Sequence, residues 1–264
     1  MKYVRFLSKN GDVTSGIVNA NGEIEVVQGN IFTEYVRTGK KCNADDIKEY
    51  MLPVDIPAIV ALGGNYADHA RECKEKVPTA PLVFLKAVTS LTTHMSQITL
   101  PKIAPLEVDY EAELGVIIAK RTKNITPRQA PDFIFGYTCV NDVTARDCQM
   151  KLDRQWARGK SFDTFAPTGP VVETELDPCD VRVRLFLNNK CMQDDSTKNL
   201  VCPVYDVVSY LSRNMTLLQG TLIITGTPAG VGFARKPQVF LKPNDTVVVE
   251  IEGVGKLENT VTGE

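Results

Sequence analysis

Short apolar runs of strand length, separated by turn signals, recur along almost the whole chain, and this most limits what it can fold into. "YVRFL", "VTSGIVN" and "GEIEVV" alternate at period two and are divided by "KNGD" and "NANGE", the pattern of β-hairpins. "IFTEYVRTGK" and "ADDIKEYMLP" follow as predicted short helices, and "LPVDIP" reads as a linker. From Ala58 onward, "AIVALGG", "PLVFLKA", "GVIIAK" and "FIFGYTCVND" read as strands, and Val181, Val183, Leu185 and Leu187 alternate strictly on one face. Helical spacing is confined here to "YADHARECKEK", "TARDCQMKLDRQW" and "PVYDVVSYLSRNMTL", the last with Val204, Val207, Val208 and Leu211 on its apolar side. "DTVVVEIEGVGKLENTV" reads as a closing hairpin. Helices and strands do not alternate regularly, so a doubly wound parallel sheet is set aside for a β-rich α+β fold. With 264 residues, the chain divides into a small N-terminal β-rich domain, residues 1–55, and a main domain, residues 56–264.

A net charge of −2 makes no electrostatic case for nucleic acid or an anionic membrane. No apolar run reaches the 18 residues of a spanning helix, and "MKYVRFLSKNGD" turns polar too early for a signal peptide, so a cytoplasmic protein is expected. The seven cysteines are odd in number and form no C-x-x-C pair, which argues for free thiols, with Cys139 as a small core residue.

Polar residues in apolar settings mark the candidate chemistry. In "DYEAELGVII", Asp109, Glu111 and Glu113 alternate with Tyr110, Ala112 and Leu114 ahead of a buried run. On a strand, Glu111 and Glu113 share a face, roughly 6 to 7 Å apart. They need either solvent at an edge or a hard divalent cation with oxygen ligands between them. Asp142, at the end of the apolar run from Phe133, is a candidate third ligand. Arg146 presents a fork suited to a carboxylate, with Gln149 on the same predicted helix. His69 and Glu72 stand three apart on a predicted helix, either as a solvated face or as a carboxylate-oriented base. Lys160 sits between Gly159 and Phe162 as a surface lysine or as a cation for an anionic substrate. "TGTPAGVG" fits neither a Walker loop nor a dinucleotide fingerprint, yet its backbone N–H groups and Thr227 suit a carboxylate. His94 has no acidic neighbour in sequence and is assigned no role.

"GGNYADHARE", "PLVFLKAVTSL", "DYEAELGVII", "GYTCVNDVTARDCQ", "RGKSFDTFAPTGP", "TGTPAGVG" and "DTVVVEIEGVGKLENTV" occur together and in this order, and in this the chain resembles the fumarylacetoacetate hydrolase family from Ala58 to its end. The resemblance implies a mixed β-roll or sandwich catalytic domain, usually homodimeric, with Mg²⁺ (or Mn²⁺ or Ca²⁺) on Glu111, Glu113 and Asp142, and Asp109 outside that set. It implies a catalytic His69–Glu72 dyad on a lid-like segment, an active-site Lys160, and substrate contacts from Arg146, Gln149, Thr227 and Lys86. The implied partner is a small 2-oxo acid. The implied reaction is C–C hydrolysis of acylpyruvates such as acetylpyruvate or fumarylpyruvate. Oxaloacetate-type decarboxylation, 2-hydroxyhepta-2,4-diene-1,7-dioate isomerisation and, more remotely, a catalytically silent metal- or 2-oxo acid-binding protein are the alternatives. Gly64, Ala87 and the loop "TTHMSQ" depart from the family's usual residues, so the pocket is expected to differ beside Gly64 and the course of the loop is left open.

Overall fold

The computed structural model describes all residues, 1–264. Its largest feature is a 12-stranded sheet. In spatial order its main path runs Tyr35–Cys42, Ile24–Gly29, Val13–Val18, Lys2–Ser8, Ala166–Glu173, Ile134–Asn141, Ala112–Ile118, Leu222–Ile224, Ile59–Gly63 and Leu82–Lys86. Just beyond this last strand, Leu91–Thr92 pairs in parallel with Ala166–Pro167 near the middle of the path, so the sheet rolls back on itself. A second, five-stranded sheet runs Lys190–Ser196, Arg182–Leu187, Thr246–Ile251, Gly255–Gly263 and Gln97–Leu100.

The strand Ala112–Ile118 is buried along its whole length because both faces are covered. Leu114, Val116 and Ile118 enter a 39-residue core with Val183, Leu185 and Val249 of the second sheet and Val207, Val208 and Leu211 of the helix Val204–Asn214. Ile117 points the other way, into a 13-residue core with Ile59, Ala61, Leu222 and Ile224. Period-two alternation puts Glu113 on this second face, at the strand's beginning. Its polar environment is therefore built by loops at the sheet's edge.

The first 50 residues do not stand apart from this sheet. Lys2 to Val4 pair antiparallel with Val171 to Glu173, and the N-terminal amine meets Glu173 Oε1 at 2.5 Å. The "LPVDIP" segment packs Val54 and Ile56 into the smaller core. The two helices expected between residues 31 and 53 are instead strands, Tyr35–Cys42 and Ile47–Tyr50, with only Ala44–Asp46 forming a 3₁₀ turn. Tyr35, Val36 and Thr38 favour a pleated surface, Gly39 takes a φ of +73°, and pairing with Ile24–Gly29 supplies hydrogen bonds that a short exposed helix would lack. The long helix expected over "TARDCQMKLDRQW" is a single π-turn, Cys148–Leu152, capped by the Asp147 side chain, and a separate helical turn spans Ala157–Lys160.

Sheet direction gathers the candidate residues. Ala112 pairs with Asn141 and Gly115 with Ile224, while Leu222–Ile224 runs parallel to Ile59–Gly63. The beginning of one strand and the ends of three others thus share one edge. From it depart the segment before Ala112, the turn at Asp142, the loop after Thr225 and the helix Ala67–Glu72.

Candidate active site and metal centre

Across this edge the Asp142 N–H donates to Glu111 O at 2.8 Å, and the Glu111 N–H donates to Asn141 Oδ1 at 2.9 Å. The pairing brings Glu111, Glu113 and Asp142 together although 31 residues separate the first from the last. They are 4%, 1% and 1% exposed, and one carboxylate oxygen from each lies within 4.8 Å of the others. Lys160 Nζ bridges Glu111 Oε2 at 2.6 Å and Asp142 Oδ2 at 2.7 Å. Arg146 donates from Nη2 to Glu111 Oε1 at 2.6 Å, from Nε to Asp109 Oδ2 at 2.9 Å, and from Nη1 to Gln149 Oε1 at 2.9 Å.

The charges do not balance. Four buried carboxylates (Asp109, Glu111, Glu113 and Asp142) face three buried cations (Lys86, Arg146 and Lys160), and Glu113 has no basic partner. Glu113 accepts one short hydrogen bond from the Gly226 N–H. Gly226 holds a φ of +101°, and a side chain there would strike Asn65, so only glycine delivers that N–H. Burial pushes the Glu113 carboxyl well above its ordinary value, and the Asp142 and Glu111 charges push it further. Burial alone would raise Glu111 too, but Lys160, Arg146 and His69 outweigh it and hold Glu111 at about 2. An all-oxygen set with one uncompensated carboxylate fits a hard divalent cation.

His69 and Glu72 lie on the helix Ala67–Glu72, with His69 Nδ1 and Glu72 Oε1 2.9 Å apart. The Glu72 carboxylate also accepts from the Gly230 N–H at 2.9 and 3.0 Å, which fastens this helix to the glycine-rich loop. In the neutral imidazole, the Glu72 carboxylate favours the proton on Nδ1 and leaves Nε2 as the acceptor. Burial opposes a charge on His69, but hydrogen bonds with Cys73 and Glu72 and the nearby Glu111 charge raise its pKa to about 9.

One cavity of about 30 Å³, room for roughly one water, is lined by Glu111, Glu113, His69, Arg146, Gln149, Lys160 and Thr227 together with aromatic and small residues. Thr227 donates its hydroxyl to Ala112 O at 3.0 Å and accepts from Gln193 Nε2 at 2.7 Å, so toward a ligand it is an acceptor. Lys86 differs from its expected role. Its Nζ donates to Asp142 Oδ1 at 2.5 Å, Phe165 O at 2.9 Å and Val143 O at 3.3 Å, leaving no donor for substrate. It steadies Asp142 from behind. Asp109, expected outside the metal set, is buried on Arg146 and on the N–H groups of Gly232 and Phe233. The "TTHMSQ" loop lies away from the cavity, tied to the second sheet where the Glu258 N–H donates to His94 Nδ1 at 3.0 Å. Gly64 lines the cavity at a φ of +62°, with Pro78 3.2 Å from where a Cβ would sit, so a side chain there would be strained.

Sequence reasoning missed Phe84, Met150, Trp156 and Phe233 on the cavity wall, and Gln193 behind it. Trp156, the only tryptophan and four residues before Lys160, carried a usable signal. Gln193 carried none, because its partners are Thr227, Pro228 and Ala112.

The family model described as fumarylacetoacetate (FAA) hydrolase C-terminal matches residues 58–262, and one described as Rv2993c-like, N-terminal, matches residues 1–48. A 2,4-didehydro-3-deoxy-L-rhamnonate hydrolase of Sphingomonas sp. is 37% identical over 99% of this chain and 96% of its own. The mitochondrial oxaloacetate tautomerase Fahd2a of Rattus norvegicus is 38% identical over 80% of this chain and 69% of its own. The crystal structure of 2-hydroxyhepta-2,4-diene-1,7-dioate isomerase from Mycobacterium marinum superposes with a TM-score of 0.86 at 34% identity, covering 100% of this chain and 99% of that one. With its match over most of its length, its rolled β-rich fold and its acidic cleft, the chain belongs to the fumarylacetoacetate hydrolase family of enzymes.

Proposed function

We propose that this protein is a divalent-metal-dependent hydrolase that splits acylpyruvates into pyruvate and a carboxylic acid. One observation carries the reading: a single cavity is lined by Glu111 and Glu113, with the Asp142 carboxylate within 4.8 Å of theirs, and by a carboxylate-oriented histidine. Glu111, Glu113 and Asp142 would hold the cation, with Mg²⁺ as first choice. When bound, it supplies Lewis acidity toward the carboxylate and 2-oxo oxygens of the substrate. A cation there would also offset the Glu111 charge, one of the groups that raise His69, and so favour the neutral imidazole. His69 Nε2 then takes a proton from water while Glu72 holds Nδ1–H. The water oxygen bonds to C4, the C3–C4 bond breaks with its electron pair left on C3, and C3 receives the proton from His69. Lys160 and Arg146 offset the negative charge on the pyruvate half.

A second reading needs no water attack: tautomerisation or isomerisation of an enolisable 2-oxo acid with His69 as the base, or loss of carbon dioxide from oxaloacetate, which needs no base. The tautomerase and isomerase relatives favour it. A Mg²⁺-dependent assay against acetylpyruvate, fumarylpyruvate, oxaloacetate and 2-hydroxyhepta-2,4-diene-1,7-dioate separates the two. Pyruvate release from an acylpyruvate, lost in Glu113→Ala, supports the hydrolase. Replacing His69 by Asn should cut hydrolysis by about 10²–10⁴-fold and spare decarboxylation, and equal losses contradict this division. Turnover of oxaloacetate or the dioate alone replaces the hydrolase reading, and binding of Mg²⁺ with no turnover of any substrate removes both.

A further inference from the structure

Burial orders the cavity from floor to mouth. Glu111, Glu113, Lys160 and Arg146 are buried at the floor, whereas Glu75 and Met150 are exposed and Phe84, Trp156 and Phe233 are half-buried. The positive side chains in the lining are Arg146, Lys160 and His69, and each is paired with a carboxylate at the floor or with Glu72. The mouth holds no basic residue. It holds the Glu75 carboxylate, which forms no salt bridge, on backbone fixed by the Glu75 N–H donating to Ala70 O at 2.8 Å. Lys74 and Lys76 flank Glu75 in the chain but stay exposed outside the lining. The same lining carries an aromatic wall in which Phe84 and Trp156 meet edge to face, with ring centroids 5.6 Å apart.

We propose that this site selects 2-oxo acids that carry one carboxylate and an uncharged tail, and that Glu75 and Trp156 at the cavity mouth make the selection. The inference rests on the orientation adopted under the proposed function, with the 2-oxo acid head at the floor. The tail then leaves past the Phe84–Trp156 wall, where methyl and methylene groups gain by losing water. A second carboxylate on that tail would face Glu75 with no cation to receive it. Like charges a few ångströms apart at a partly solvated site cost on the order of tenfold in binding. Acetylpyruvate and longer uncharged acylpyruvates fit these terms, whereas fumarylpyruvate, oxaloacetate and the heptadiene-dioate do not.

Calorimetric titration of the Mg²⁺-loaded protein with 2-oxopentanoate and 2-oxoglutarate tests this with ligands that lack a bond the hydrolase would cut. The expected result is at least tenfold tighter binding of 2-oxopentanoate. In Glu75→Gln the ratio should shrink at least threefold through better binding of 2-oxoglutarate, and in Trp156→Ala it should shrink through loss of 2-oxopentanoate affinity. Equal or tighter binding of 2-oxoglutarate by the unmodified protein, or a ratio unmoved in Glu75→Gln, overturns the proposal. Selective binding without hydrolysis of any acylpyruvate would sink the proposed reaction and leave the selection standing. Failure of both ligands to bind would overturn both.

Discussion

Glu113 shares its buried setting with Glu111 and Asp142 and gets only a backbone N–H in return. Its folded-state pKa is raised above that of the unfolded chain, so the folded protein keeps a proton that the unfolded chain releases. The metal-free protein should therefore lose stability as pH climbs from the ordinary glutamate range through the raised value. Glu113→Gln removes that cost. It should melt at the same temperature or roughly a few degrees higher at pH 7 without metal, and the rise in melting temperature on adding Mg²⁺ should vanish. A retained Mg²⁺ shift would take Glu113 out of the metal set. His94 has the opposite sign. Burial lowers it to about 4, and its Nδ1 accepts from the Glu258 N–H. The unfolded chain binds this proton first, so stability falls as pH drops from about 6.5 toward 4. Urea titrations at pH 7 and pH 5 should show a smaller difference in His94→Gln than in the unmodified protein, and an unchanged difference rejects the assignment.

At the scale of elements, the glycine-rich loop is held from two sides. Gln193, on the second sheet, donates from Nε2 to Thr227 Oγ1 at 2.7 Å and Pro228 O at 2.8 Å, and its Oε1 accepts from the Ala112 N–H at 2.9 Å. The same loop presents Gly226 to Glu113 and Gly230 to Glu72. Gln193→Leu leaves buried partners unsatisfied and should cost about 1–3 kcal/mol of stability. It should also lower kcat more than it raises KM, because it loosens groups that hold Glu113 and Glu72; loss of stability with kinetics unchanged would limit Gln193 to packing. The candidate residues were legible because they lie in short contiguous motifs whose residue types are costly to bury without a purpose. Gln193, Asn141 and Lys86 were not legible in these roles, since each depends on a partner brought near by strand pairing. The misread N-terminal helices have the same cause: Tyr35–Cys42 is a strand because Ile24–Gly29 lies beside it.

At the scale of the molecule, the first 50 residues extend the main sheet. Lys2–Ser8 covers the edge of Ala166–Glu173, and Tyr3, Ile17 and Val27 enter the same small core as Ile59, Ile117 and Leu222. A fragment beginning at Ile56 would expose that core and an unpaired strand edge. It should aggregate or melt at least 10 °C lower, as read by circular dichroism and light scattering; a soluble fragment with an unshifted melting curve would show that the roll stands without its N-terminal strands. The amino-acid sequence by itself determined the β-rich class, the buried run from Gly115 and the residue types of the site, because periodicity and the cost of buried charge are local properties. Only the tertiary structure decided that Lys86 steadies Asp142, that Asp109 binds Arg146, and that Glu75 and Trp156 line one cavity. Those relations join segments tens of residues apart, and they exist only once the sheet has rolled and brought its edge loops together.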